Sequence, residues 1–167
     1  MLAYAVTVAH HPGTEVTTMF KHILIATDGS ELADKAVTHG LALAKCLNAK
    51  VTAVTVTEPW DAWSMAALAE AQARNPVADY EEAMAASANR ILWAVSENAK
   101  QQDLDCRTLY VKDRHPAEGI IETAKAQACD LIVMASHGRR GLSKLLLGSQ
   151  ANKVVTVSPV PVLICRS

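Results

Sequence analysis

The residues best suited to chemistry lie in one run, Met134-Ala135-Ser136-His137-Gly138-Arg139-Arg140, which is followed by Gly148-Ser149-Gln150. Glycines let backbone N–H groups come close to an anion. A helix that opens after Gly148-Ser149 would aim the positive end of its dipole at the same place. Arg139 and Arg140 add positive charge, and the Ser149 hydroxyl can donate to a phosphate oxygen, reach a bound cation or cap the helix. The chemistry these types and spacings favour is the holding of phosphate. A second small polar turn, Thr27-Asp28-Gly29-Ser30, supplies a carboxylate. His137 has no carboxylate near it in sequence and reads as a residue that orders the loop backbone. With no general base beside the loop, any hydrolysis is expected to be slow.

The charge distribution agrees. The chain of 167 residues has a net charge of −1, yet residues 131–167 hold no Asp or Glu while carrying Arg139, Arg140, Lys144, Lys153 and Arg166. An anionic ligand is therefore expected there, with a solvated basic face as the plainer alternative. The near-neutral total gives no support for a nucleic-acid or membrane surface. Half the residues are hydrophobic and 20% are charged, enough for one domain with a sizeable core. Cys46, Cys106, Cys129 and Cys165 form no C-x-x-C and sit in apolar contexts, so buried free thiols in a reducing cytoplasm are expected. No run approaches the length of a membrane helix. Residues 1–18 precede a second methionine, Met19, and read as a poorly ordered or dispensable extension of a single domain over 19–167.

The elements that must position these residues alternate. His22–Thr27 reads as a buried strand, and Asp28 or Ser30 as the cap of a helix over Glu31–Leu47. That helix places Ala33, Ala36, Val37, Gly40, Leu41 and Ala44 on one face. Val51–Thr57 is the second strand. Residues 58–78, with Trp60 and Trp63, read as a loop with a short helical piece at Met65–Arg74, the tryptophans shielding the sheet or a dimer surface. A long helix follows from Asp79 to about Gln102, supported by Ala83, Ala86, Ile91, Ala94, Val95 and Ala99. Cys106–Val111 is the third strand, and Pro116 with Glu118 opens a helix to Gln127. Asp130–Ala135 is the fourth strand, Gln150–Val157 a last helix, and Pro161–Cys165 a fifth strand that its prolines confine to an edge or a strand start. Such alternation predicts a parallel α/β sheet with helices on both faces and ligands at the carboxyl ends of the strands.

Neither G-x-x-x-x-G-K-[ST] nor an early G-x-G-x-x-G is present, and G-x-S-x-G and H-E-x-x-H are also missing. The spacing Ala135-x2-Gly138-x9-Gly148-Ser149 instead resembles the ATP-binding motif of the universal stress protein family, G-x2-G-x9-G-[S/T]. The resemblance runs over roughly residues 20–166, through Thr27-Asp28-Gly29-Ser30, Val51–Thr57, Pro116-Ala117-Glu118 and Pro161-Val162-Leu163-Ile164. It implies a three-layer, Rossmann-like fold of the adenine nucleotide alpha hydrolase type, with five parallel strands in the order 3-2-1-4-5. It implies a homodimer through the last strand, Val160 to Cys165. The implied nucleotide-binding set is Ala26, Thr27 and Asp28, the Val56 backbone at the adenine, Met134 and Ala135, and Gly138, Arg139, Arg140, Gly148, Ser149 and Gln150 around the phosphates. The implied ligand is ATP, with ADP or AMP as alternatives, and magnesium or manganese held through the phosphates, not by protein ligands alone. The implied role is a dimeric sensor or regulatory module in stress response. A nucleotide-free interaction module and a slow ATP hydrolase are the alternatives. Two positions depart from the pattern: Ala135 replaces the first glycine, and Arg114-His115 stands where a glycine is usual.

Overall fold

The computed structural model describes residues 19–59, 76–138 and 147–166. The expectations for residues 1–18, for Trp60, Trp63 and Met65–Arg74, and for Arg139 and Arg140 lie outside the described residues. The described elements are β1 (His22–Ala26), α1 (Glu31–Leu47), β2 (Lys50–Val56), α2 (Pro76–Lys100), β3 (Cys106–Val111), α3 (Pro116–Ala126), β4 (Leu131–Ala135), α4 (Ser149–Val157) and β5 (Val162–Cys165). They form a five-stranded sheet in the order β3-β2-β1-β4-β5. Every described pairing is parallel, with Ile23 opposite Val51 and Leu131, Val51 opposite Cys106, and Ile132 opposite Val162. β5 is an edge strand, and Pro161 stands immediately before it, so both placements allowed by the prolines are met.

Period-two alternation divides the strands between two cores. Ile23, Ile25, Val51, Ala53, Leu131 and Val133 face α1 and α2. Leu24, Val54, Ile132 and Met134 face α3 and α4. Ile23, Leu24, Ile25, Ile132 and Val133 are fully buried. Each such side chain contributes about 1.5–3 kcal/mol of transfer free energy. A sheet covered on both faces explains why β1 and β4 read as unbroken apolar runs.

The expected face of α1 is the buried one: Ala33, Ala36, Val37, Gly40, Leu41 and Ala44. Of the two candidate caps, Ser30 caps the helix, its Oγ accepting from Ala33 N–H at 3.3 Å. Asp28 Oδ1 instead accepts from Ser30 N–H at 3.0 Å, and Gly29 takes a φ of 73° to complete the turn.

Three expectations need correction. On α2 the buried residues are Ala88, Leu92, Val95 and Ala99, so Val95 and Ala99 lie where expected, whereas Ala83, Ala86 and Ala94 are exposed. Alanine suits either side of a helix, so alanine spacing does not locate its buried face. The helix also begins at Pro76 instead of Asp79, since proline at a first helical position loses no hydrogen bond. Among the cysteines, Cys129 and Cys165 are buried, but Cys46 lies exposed on α1, off the sheet-facing stripe. Burial pushes the Cys106 and Cys129 thiols up to about 11, which makes them poor nucleophiles near neutrality.

At the amino ends of the strands, His22 Nε2 lies 2.9 Å from Thr52 Oγ1, while Asp130 accepts from the N–H groups of Lys21 and His22 at 2.8 and 3.0 Å. Burial is the largest influence on His22 and sets its pKa below the ordinary 6.5; a hydrogen bond to the Gln127 backbone and the Asp130 charge act against it, and Lys50 and Arg107 act with it. The unfolded chain therefore binds this proton more readily than the folded one. This contribution to stability is complete above pH 6.5 and is lost as pH falls through 6.5 to the folded value. Urea unfolding between pH 8 and 5 should show stability declining over that window in wild type and a flatter profile in His22→Gln; equal slopes would contradict the assignment.

Candidate functional site

β1 and β4 are neighbours, but the chain leaves them toward opposite faces of the sheet: α1 after β1 packs on one core and α4 after β4 on the other. A crevice must open between the two departures. Its volume is about 460 Å3, within the usual range for a small-molecule site. Ala26, Thr27, Asp28, Val56, Met134, Ala135, Gly138, Gly148, Ser149 and Gln150 all line it. Every sequence-predicted site residue that is described thus falls in one cleft.

Backbone bonds fix the turn after β1. Thr27 N–H donates to the Val54 carbonyl at 3.0 Å, Thr55 Oγ1 donates to the Thr27 carbonyl at 2.8 Å, and Gly29 N–H donates to Thr27 Oγ1 at 3.1 Å. The turn after β4 is tied in the same way. Ser136 N–H donates to the Cys165 carbonyl at 2.8 Å, and the Ser136 carbonyl accepts from Gly148 N–H at 2.9 Å, closing the loop on itself. His137 Nδ1 lies 3.2 Å from Ser136 Oγ.

The two turns meet at Gly138. A Cβ there would stand 2.6 Å from Asp28 Oδ2, closer than such contacts occur, so the position tolerates only glycine without movement. A Cβ at Gly148 would meet the Ser136 carbonyl at 3.1 Å. Gly148 is also the N-cap of α4, and Ser149 is its first helical residue. Ser149 as N-cap is thereby corrected: its own backbone is already helical. The first amides of α4 have no acceptor within the helix, Gly148 offers no capping side chain, and the first turn carries no acid. That end of the helix suits an anion.

Ala135 lies buried in β4 opposite Cys165, and its methyl belongs to the core beneath α1. It has no positive φ. The absent first glycine therefore costs the cleft no backbone freedom. Val56 directs its side chain toward Gly119 of α3, where a Cβ would meet Val56 Cγ1 at 2.8 Å. Arg114 lies on the surface, its Nε 3.7 Å from Glu122.

One wall was missed in the sequence. Tyr80, Met84, Ser87 and Ile91 of α2 line the cleft at helical spacing. That stripe was the available signal, but it is mixed in polarity and was hidden by the alanines around it. Glu58 and Thr57 extend the cleft beyond β2. Among the described residues, no three His, Cys, Asp or Glu side chains are grouped to hold a metal ion.

The profile of the universal stress protein family matches residues 19–166, a span that includes every described residue. This chain belongs to the universal stress protein family. A universal stress protein of Thermus aquaticus is 33% identical over 154 residues, which cover 89% of this chain and 100% of that one. A universal stress protein solved in complex with cAMP shares the fold with a TM-score of 0.65 at 24% identity, over 88% of this chain and 97% of that one. One from Archaeoglobus fulgidus, solved in complex with dAMP, superposes with a TM-score of 0.63 at 15% identity, over 87% and 98% of the two chains.

If the Ala135 methyl packs in the core beneath α1, Ala135→Gly should lower stability by about 0.5–1 kcal/mol. Urea unfolding checks this; an unchanged or raised midpoint would place the methyl elsewhere.

Proposed function

We propose that this protein binds an adenine nucleotide in the cleft between β1 and β4, with ATP as the best-fitting ligand and ADP or AMP as shorter ones. The observation that carries the reading is the meeting of Gly138 with Asp28 beside the Gly148 end of α4. Two backbone cradles on one rim suit a chain of phosphates better than a single anion. Relatives of the same fold were solved with cAMP and with dAMP, both of which carry adenine and phosphate. In this reading the Val56 backbone and the α2 wall meet the base, Ala26, Thr27 and Asp28 meet the sugar side, and Met134 and Ala135 form the floor. Gly138, Gly148, Ser149 and Gln150 hold the phosphates, with Arg139 and Arg140 nearby in sequence. Asp28 beside the phosphate rim calls for a bridging magnesium or manganese ion carried by the nucleotide.

The protein would work as a homodimer joined through Val160–Cys165, as a sensor or regulatory module in stress response. β5 lies at the sheet edge with Leu163 40% exposed, and α4 leaves Val155 and Val157 exposed. An uncovered apolar edge strand is a template for pairing. The four free cysteines suit a reducing cytoplasm, and among the described residues no helix is long and apolar enough to cross a membrane.

Titration calorimetry tests the nucleotide. Wild type should give saturable heat with ATP, and Gly138→Val should weaken binding by at least about tenfold while circular dichroism stays unchanged. No heat with ATP, ADP or AMP in wild type would overturn the reading. For the dimer, Leu163→Arg should convert a two-chain species into a one-chain species in light scattering; a wild type that runs as a monomer would contradict it.

A further inference from the structure

We infer that Gln150 is a positioning residue whose side chain locks the first turn of α4 to the first turn of α3, so that the backbone following Gly148 is held toward the cleft. The inference rests on the nucleotide reading above and gives Gln150 a role there that its backbone alone does not supply.

Helix α3 opens with a shortage of acceptors. His115 stands at its N-cap and makes no side-chain capping bond, and Pro116 has no N–H. The Ala117 N–H is therefore the first donor of that helix, and Ala117 is fully buried. Gln150 Oε1 accepts from it at 3.0 Å, across 33 positions of sequence. A cap that the helix does not supply for itself thus comes from its neighbour. One helical turn further along α4, Lys153 Nζ donates to Glu118 Oε1 at 2.8 Å. That second link is exposed and contributes less. Together they join two successive positions of α3 to one face of α4.

The consequence falls on the opposite side of the same residue. With the Gln150 side chain committed to α3, its backbone belongs to the α4 end that lines the cleft. The first intrahelical bond of α4 runs from Asn152 N–H to the Gly148 carbonyl, so the amides before Asn152 depend on something outside the helix to fix their direction. Hydrogen bonds weaken steeply with misalignment, and a small rotation of this turn would spoil several phosphate contacts at once. A buried donor left without an acceptor adds a cost of its own at Ala117.

The test compares wild type with Gln150→Met, which keeps the volume and removes the acceptor. By calorimetry, ATP affinity should fall on the order of five- to tenfold, while adenosine, which lacks phosphates, should change by less than about twofold. The Ala117 amide should exchange with solvent faster in Gln150→Met, and Gln150→Glu, whose carboxylate can still accept, should restore its protection. Equal losses for ATP and adenosine, or no loss for either, would overturn the positioning role. An unchanged Ala117 exchange rate, or no restoration by Gln150→Glu, would overturn the link itself. A wild type that binds no ATP would overturn the nucleotide reading and this inference together, whereas a wild type that binds ATP as tightly as Gln150→Met would overturn this inference alone.

Discussion

The pairing of β1 with β4, Ile23 opposite Leu131 through Ala26 opposite Met134, sets the conditions for everything at the rim. Both strands run the same way, so both end at the same edge of the sheet. Right-handed connections then send α1 to one face and α4 to the other. The two turns are left side by side with no helix between them, and the Asp28 carboxylate stands against Gly138 where they meet. Gly138 can approach Asp28 because it lacks a side chain, and Gly148 can return to the Ser136 carbonyl at 2.9 Å for the same reason. The cleft follows from topology first and from the glycines second.

Rigidity below the rim makes the approach meaningful. The Thr27 backbone is held by Val54 and Thr55, and the Ser136 backbone by β5 through Cys165. Each turn is thus anchored to a neighbouring strand as well as to its own. Adjacent strands carry fully buried side chains on both faces, so the turns have little freedom to separate. Membership of the universal stress protein family fits this layout, in which the sheet supplies the frame and the loops at its carboxyl edge supply the contacts.

Much of this was legible in the residues. The α1 stripe from Ala33 to Ala44 and the buried runs of β1 and β4 follow from periodicity, and the described site residues follow from the resemblance of the glycine spacing and its flanking segments to the universal stress protein pattern. What was not legible depends on which way a side chain points across elements. Alanines on α2 gave no sense of inside and outside, so Tyr80, Met84, Ser87 and Ile91 went unnoticed as a cleft wall. Cys46 looked apolar in its neighbourhood but sits off the buried face of its helix. Ala135 looked like a defect in the motif until its methyl was placed under α1. Gln150 read only as a residue near the phosphates because nothing local in the sequence announces that Ala117 needs an acceptor.

In the proposed nucleotide site, the turns after β1 and β4 form one phosphate-binding rim. The most direct measurement is the titration of ATP into isotopically labelled protein while the backbone amides of Gly138, Gly148 and Ser149 are followed by NMR. Saturable shifts are expected at these amides with ATP, and little change at them with adenosine. ATP that leaves all three unmoved, or that shifts only amides remote from the β1 and β4 ends, would contradict it.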